Sequence, residues 1–113
     1  GLFGRTSGIW GDFLRESEIE KHLKNEISKM GGRAYKFISP GNNGMPDRLI
    51  LIQGHAFFVE TKAPGKKLRP LQERRKIELE AQGFIVFKVD GKTSLDETLA
   101  EINRAVGGEA KHG

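Results

Sequence analysis

At 113 residues, 36% hydrophobic and 30% charged, the chain has room for one domain with a real core and none for a second. It contains no cysteine, which excludes disulfides, thiolate nucleophiles and zinc-thiolate centres and leaves oxygen ligands as the means of binding a metal. No apolar run approaches the roughly 20 residues of a membrane span and none resembles a cleaved leader, while 19 Lys and Arg against 15 Asp and Glu favour polyanionic partners; the expected compartment is a reducing cytoplasm.

Residues 1–12 are glycine-rich, lack a clear period and begin without Met, so they are set apart as an N-terminal extension, either tag-derived or an interface. Trp10 and Phe13 can pack on the core or on a second subunit. A first helix is expected over 17–30, with Ile19, Leu23, Ile27 and Met30 on one stripe and Gly31-Gly32 as its stop. A strand follows over 33–38, with Ala34, Lys36 and Ile38 on one face and Tyr35 and Phe37 on the other. Residues 39–46 are dense in turn formers and read as irregular. Asp47 opens a second strand over 47–53, Gly54-His55 makes the reversal, and a third strand covers 56–62. Pro64-Gly65 breaks that strand. Pro70 then suits the start of a helix over 70–82, stopped by Gly83; its apolar pattern is poor, so it is expected to be solvated and basic. Residues 84–89 form a nearly continuous apolar run suited to a buried strand. Ser94 and Glu97 make a capping-box pattern for a last helix through Leu95, Leu99, Ile102 and Val106. Residues 107–113 read as a flexible tail, which leaves 13–106 as the domain. The order α-β-β-β-α-β-α predicts an α/β fold, a mixed sheet flanked by helices.

The chemistry concentrates at the second and third strands. Side chains alternate along a strand, so Glu60 and Lys62 project to one face and Thr61 to the other, and an antiparallel neighbour carries Asp47 to the same spot. Two carboxylates beside an ammonium form a divalent-metal site with a built-in positive group, suited to aiming water at a phosphodiester. Taken singly, Asp47 reads as a turn residue after Pro46, and Glu60 and Lys62 as a solvated sheet face. Taken together, on a central strand that also carries Phe58, they read as a site. Lys62, Lys66, Lys67, Arg69, Arg74, Arg75 and Lys76 follow within fifteen positions, where a protein tracking a phosphate backbone would want its cations. The Gly41-Asn42-Asn43-Gly44 loop can bring backbone N–H groups to a phosphate or merely turn the chain. His22, His55 and His112 lack metal-ligand spacing, and none is assigned to catalysis.

The stretch Gly44-Met45-Pro46-Asp47, then Phe58-Val59-Glu60-Thr61-Lys62-Ala63-Pro64-Gly65-Lys66-Lys67-Leu68-Arg69-Pro70-Leu71-Gln72, closely resembles the VRR-NUC branch of the PD-(D/E)XK nuclease superfamily. The resemblance runs from about residue 17 to 89 and is to a small stand-alone member. It implies a restriction-endonuclease-like core and a structure-selective DNA endonuclease dependent on Mg²⁺ or Mn²⁺. It further implies a homodimer acting on branched DNA, including four-way junctions, in the cytoplasm of a bacterial or phage-infected cell. Asp47 and Glu60 are then the protein ligands, the Thr61 carbonyl a third oxygen, and Lys62 an electrostatic group rather than a base. The family places a carboxylate in its first helix, and Glu20 matches by its distance from the glycines that end that helix. At ~100° per residue Glu20 borders the apolar stripe, yet Ser17-x-x-Glu20 is also a capping box. Gln72 matches the family glutamine one turn into the following helix, where its amide can bond a water, Glu60 or a phosphate oxygen. Lys36 matches a lysine before the glycine loop and reads as a phosphate contact or an exposed strand residue. Lys66, Lys67 and Arg69 are the remaining DNA-binding candidates. The competing expectations are a binding module whose nuclease centre has lapsed, or a less selective nuclease; the presence of Asp47, Glu60, Lys62 and Gln72 together favours an enzyme.

Overall fold

A computed structural model describes residues 15–112 of the chain, and their side chains as far as residue 107. The N-terminal extension with Trp10, and Phe13 at the start of the domain, lie outside the described residues. The elements are α1 (Glu16–Lys29), β1 (Arg33–Lys36), β2 (Arg48–Ile52), β3 (His55–Thr61), α2 (Pro70–Ala81), β4 (Ile85–Val89) and α3 (Lys92–His112), in the expected order α-β-β-β-α-β-α. They build one four-stranded mixed sheet, ordered β1-β2-β3-β4. The first three strands pair antiparallel, and α2 carries the chain over to a parallel β4.

One face of the sheet holds the core. Ile19, Leu23 and Ile27 of α1 and Leu95, Ile102 and Val106 of α3 close on Ile50, Ile52, Phe57, Val59 and Val89. The i, i+4, i+8 spacing on α1 puts its three apolar side chains on one stripe, and all three are fully buried. The other face is covered more thinly. Helix α2 lies against β4 and contributes no buried residue, as its poor apolar pattern predicts, and Ile77 is 66% exposed. On that face Phe58 packs edge-on to Phe37 and Phe84.

The expected central position of the third strand holds: β3 lies between β2 and β4 and is buried from Phe57 to Thr61. Several boundaries differ for identifiable reasons. The reversal after β2 is Gln53-Gly54 rather than Gly54-His55. Both residues take positive φ, 47° and 80°, and Ile52 pairs with His55, as a two-residue turn matching the sheet twist requires. The capping box of α1 is not Ser17 with Glu20: the helix begins one residue earlier, and the Arg15 N–H donates to Glu18 at 2.8 Å. Likewise α3 starts at Lys92 and not behind Ser94, whose Oγ turns back to Asp90, accepting its N–H at 2.9 Å and donating to its carboxylate at 3.0 Å. Strand β4 is an edge strand rather than a fully buried one, so Ile85 stays 43% exposed. Strand β1 ends at Lys36, but one further rung, from the Phe37 N–H to the Asp47 carbonyl at 2.8 Å, fixes the point where the chain enters β2.

Candidate active site

Asp47 sits immediately before β2, and the register Arg48 to Val59 carried one step further sets it across from Glu60. Thr61 holds the Asp47 carboxylate from both ends. Its N–H donates to Oδ1 at 3.1 Å and its hydroxyl to Oδ2 at 2.6 Å. A carboxylate gripped by two donors on an interior strand has little freedom to turn away.

On one side of Asp47 stands Glu60, which is 8% exposed. Lys62 Nζ lies 3.7 Å from Glu60 Oε2, and Gln72 Nε2 donates to the same oxygen at 3.1 Å. The other end of the Gln72 amide accepts the Arg69 N–H at 2.8 Å, which is the helix-capping bond of α2. Opposite lies the glycine loop. Arg75 Nε donates to the Asn43 carbonyl at 2.9 Å, and Gly44, at φ 84°, presses so close to Leu71 that a Cβ there would lie 2.7 Å from the Leu71 Cγ. The result is a cleft of about 560 Å³ lined by Asn43, Gly44, Asp47, Glu60, Arg69 and Gln72.

On the other side of Asp47 stands α1. Glu20 accepts from Arg48 at 3.2 Å and lies 3.0 Å from the Thr61 hydroxyl. One helical turn earlier, Glu16 brings a third carboxylate, and oxygens of Glu16, Glu20 and Asp47 lie within 4.8 Å of one another.

This crowding is written into the acidities. Burial, followed by the charge of Asp47, pushes the Glu60 carboxyl up to about 7, against the pull of Lys62 and a backbone bond from Asp47. Asp47 is also raised, by burial first and by Glu20, with the two Thr61 bonds and Arg48 opposing.

No family model matches the chain. A relative named "Putative nuclease p44", from Acyrthosiphon pisum secondary endosymbiont phage 1, is 47% identical over 91 residues, 80% of this chain and 97% of its own length. A solved structure described as a VRR_NUC domain superposes with a TM-score of 0.70 at 30% identity, over 75% of this chain and 94% of the other. The chain belongs to the VRR-NUC family. Its mixed sheet and flanking helices are the family's restriction-endonuclease-like fold, and by family it is a nuclease.

Within this VRR-NUC fold the residues singled out by sequence fall into two groups. Asp47, Glu60, Lys62 and Gln72 converge, and Glu20, freed from any capping role, joins them from α1. Thr61 was expected to offer its carbonyl; its amide and hydroxyl are what touch Asp47. Lys66, Lys67 and Arg69 are exposed on the segment leading into α2, whereas Lys36 lies across the sheet, paired in register with Arg48. Three members of the basic run are already partnered, Lys62 with Glu60, Arg75 with Glu78 and Lys76 with Glu80. Sequence reasoning missed Glu16 and Arg48. The i, i+4 spacing of Glu16 and Glu20 was the available signal for the first. Arg48 reaches Glu20 only through the docking of α1 on the sheet.

Proposed function

We propose that this VRR-NUC chain hydrolyses phosphodiester bonds in DNA as an endonuclease dependent on Mg²⁺ or Mn²⁺, with Asp47 and Glu60 as ligand pair and Glu20 completing the acidic cluster. The observation that carries the reading is the position of Asp47 between Glu60 and Glu20, with Lys62 and Arg48 as the cations paired to them among the described residues. Among the described residues four carboxylates, counting Glu16, thus face two paired cations, and the Thr61 hydroxyl has a single proton to share between Asp47 and Glu20. The donor set is all oxygen, which fits a hard divalent cation, and burial first, with the neighbouring carboxylates adding to it, makes Glu60 and Asp47 hold their protons more tightly than free carboxyls do.

A divalent cation held there would polarise the phosphoryl group and make a neighbouring water more acidic. The chain's own residues do the rest. Thr61 fixes the rotamer of Asp47, and Gln72 fixes that of Glu60. Lys62, 3.7 Å from Glu60, places a positive group where negative charge builds on the phosphate oxygens. Gly44 lets the loop backbone lie flat against the cleft, and Lys66, Lys67 and Arg69 neutralise phosphates of the incoming strand. The family resemblance extends the proposal to branched substrates such as four-way junctions, with a two-fold dimer supplying one site per strand. The phage origin of p44 supports a setting in the cytoplasm of a bacterial or phage-infected cell.

The test is cleavage of linear duplex, single strand, flap, fork and four-way junction with Mg²⁺, Mn²⁺ or chelator, alongside the mass of the protein in solution. Asp47→Asn and Glu60→Gln are expected to lower cleavage by roughly a thousandfold or more, the scale of losing a principal charge-stabilising group, while DNA binding persists. Cleavage that survives either change, or that proceeds in chelator, would refute the assignment.

A further inference from the structure

A second basic surface runs away from the site on the side opposite Lys66, Lys67 and Arg69. On α1, Ser17, Lys21, Lys24 and Ser28 recur at helical spacing and are all exposed. They form a polar stripe beside the buried one. Facing them across a continuous groove are Arg48 from β2 and Lys36 and Arg33 from β1. The groove consists of two adjoining hollows of about 360 and 490 Å³ that share Lys24, Asn25 and Arg48 as lining residues. Five cations line it, and Glu20, at its inner end, is its one acid among the described residues. Lys21, Lys24 and Lys36 form no ion pair among the described residues, in contrast to Arg75 and Lys76 on α2.

We infer that this α1–β1 groove is a second track for the sugar-phosphate backbone, holding the DNA on the far flank of the scissile phosphate. The inference rests on the nuclease reading of Asp47 and Glu60. Its ground is position as well as charge. The groove starts at Glu20 and Arg48, which touch the α1 side of the Asp47 cluster, while the cleft carrying Glu60 opens on the other side toward Arg69. Unsatisfied ammonium groups therefore lie on both sides of the same carboxylate. The stripe from Ser17 to Ser28 is about 16 Å long at 1.5 Å per residue, enough for nearly five nucleotides at ~3.4 Å of axis each. A strand held on both flanks lies across the site instead of ending in it.

The test uses the Asp47→Asn protein, so that DNA is bound and not cut, and measures affinity against salt concentration with and without Lys21→Ala, Lys24→Ala and Lys36→Ala. Removing three phosphate contacts is expected to lower the slope of log affinity on log salt by about 2 to 3 and to weaken binding about tenfold or more at low salt. Lys66→Ala with Arg69→Ala is expected to add its own loss independently, since the two tracks share no residue. In the cleaving protein, shortening the DNA on either flank of the cut is expected to slow cleavage. In the Lys21, Lys24 and Lys36 variant, shortening one of the two flanks is expected to have no further effect. An unchanged salt slope, or equal sensitivity to both flanks in the variant, overturns the track. Failure of the unaltered protein to cut DNA would instead overturn the nuclease reading, while the slope still reports on the groove.

Discussion

Thr61 is the residue whose part in the site is hardest to see from its neighbours. Between Glu60 and Lys62 it reads as the position that faces away, and it does face away, toward α1, yet its hydroxyl and amide hold Asp47. Thr61→Val keeps the shape and removes a bond that favours the ionised Asp47 carboxylate, so Asp47 is expected to hold its proton to higher pH. The pH dependence of Glu60 has a definite sign. With its folded value raised to about 7 from 4.5, the folded state binds the proton more tightly than the unfolded chain does. In chelator this group's contribution to stability is therefore complete below pH 4.5 and is lost as pH rises through 7. A cation competes with that proton. Mn²⁺ affinity measured by calorimetry is accordingly expected to climb about tenfold per pH unit below 7 and to level off above it, with Thr61→Val weakening it. A flat profile from pH 5.5 to 8 would separate Glu60 from metal binding. At this scale Asp47, Glu60, Lys62 and Gln72 were legible because adjacent strands and a short loop bring them together. Glu16, Arg48 and the bond from the Thr61 hydroxyl to Glu20 were not, because they meet only once α1 has docked.

Helix α2 begins with a residue that serves two structures at once. Gln72 caps the helix through its carbonyl and steadies Glu60 through its amino group. The two tasks can be separated by substitution. Gln72→Ala loses both bonds and is expected to cost about 0.5–1.5 kcal/mol each, seen as a lower Tm, together with a loss of cleavage. Gln72→Glu retains the cap, since Glu serves equally at that helical position, but sets a new carboxylate against Glu60. It is expected to hold Tm nearly constant below pH 5 while cleavage at pH 7.5 falls. Equal activity in Gln72→Glu and the parent would make the contact with Glu60 incidental. The elements themselves were readable from pattern: the stripe of α1 follows from apolar spacing, and β2 and β3 from short apolar runs either side of a turn. Helix starts were not. Arg15 with Glu18, and Lys92 ahead of Ser94, depend on the direction from which the chain arrives, which tertiary packing decides. Nor does an apolar run disclose whether a strand lies inside a sheet or, like β4, on its edge.

For the molecule as a whole, the arrangement of charge matters more than its sum. Net charge of +4 says only that polyanions are welcome; the separation of Lys66, Lys67 and Arg69 from Lys21, Lys24 and Lys36 by the carboxylates gives the surface a direction. A strand lying through the site needs no free end, so covalently closed circular single-stranded DNA is expected to be opened to a full-length linear form as the first product on a gel. Circles that resist cutting while linear strands are shortened from their ends would contradict an internal cut. The tight Gln53-Gly54 turn closes the end of β2 remote from Asp47, about 17 Å away at 3.3 Å per strand residue. That makes it a natural anchorage: a fluorophore or a glass-bound tether grafted at the hairpin tip would leave the carboxylate end unobstructed, so individual molecules could be filmed against a stretched DNA, with severing expected if the proposed chemistry holds.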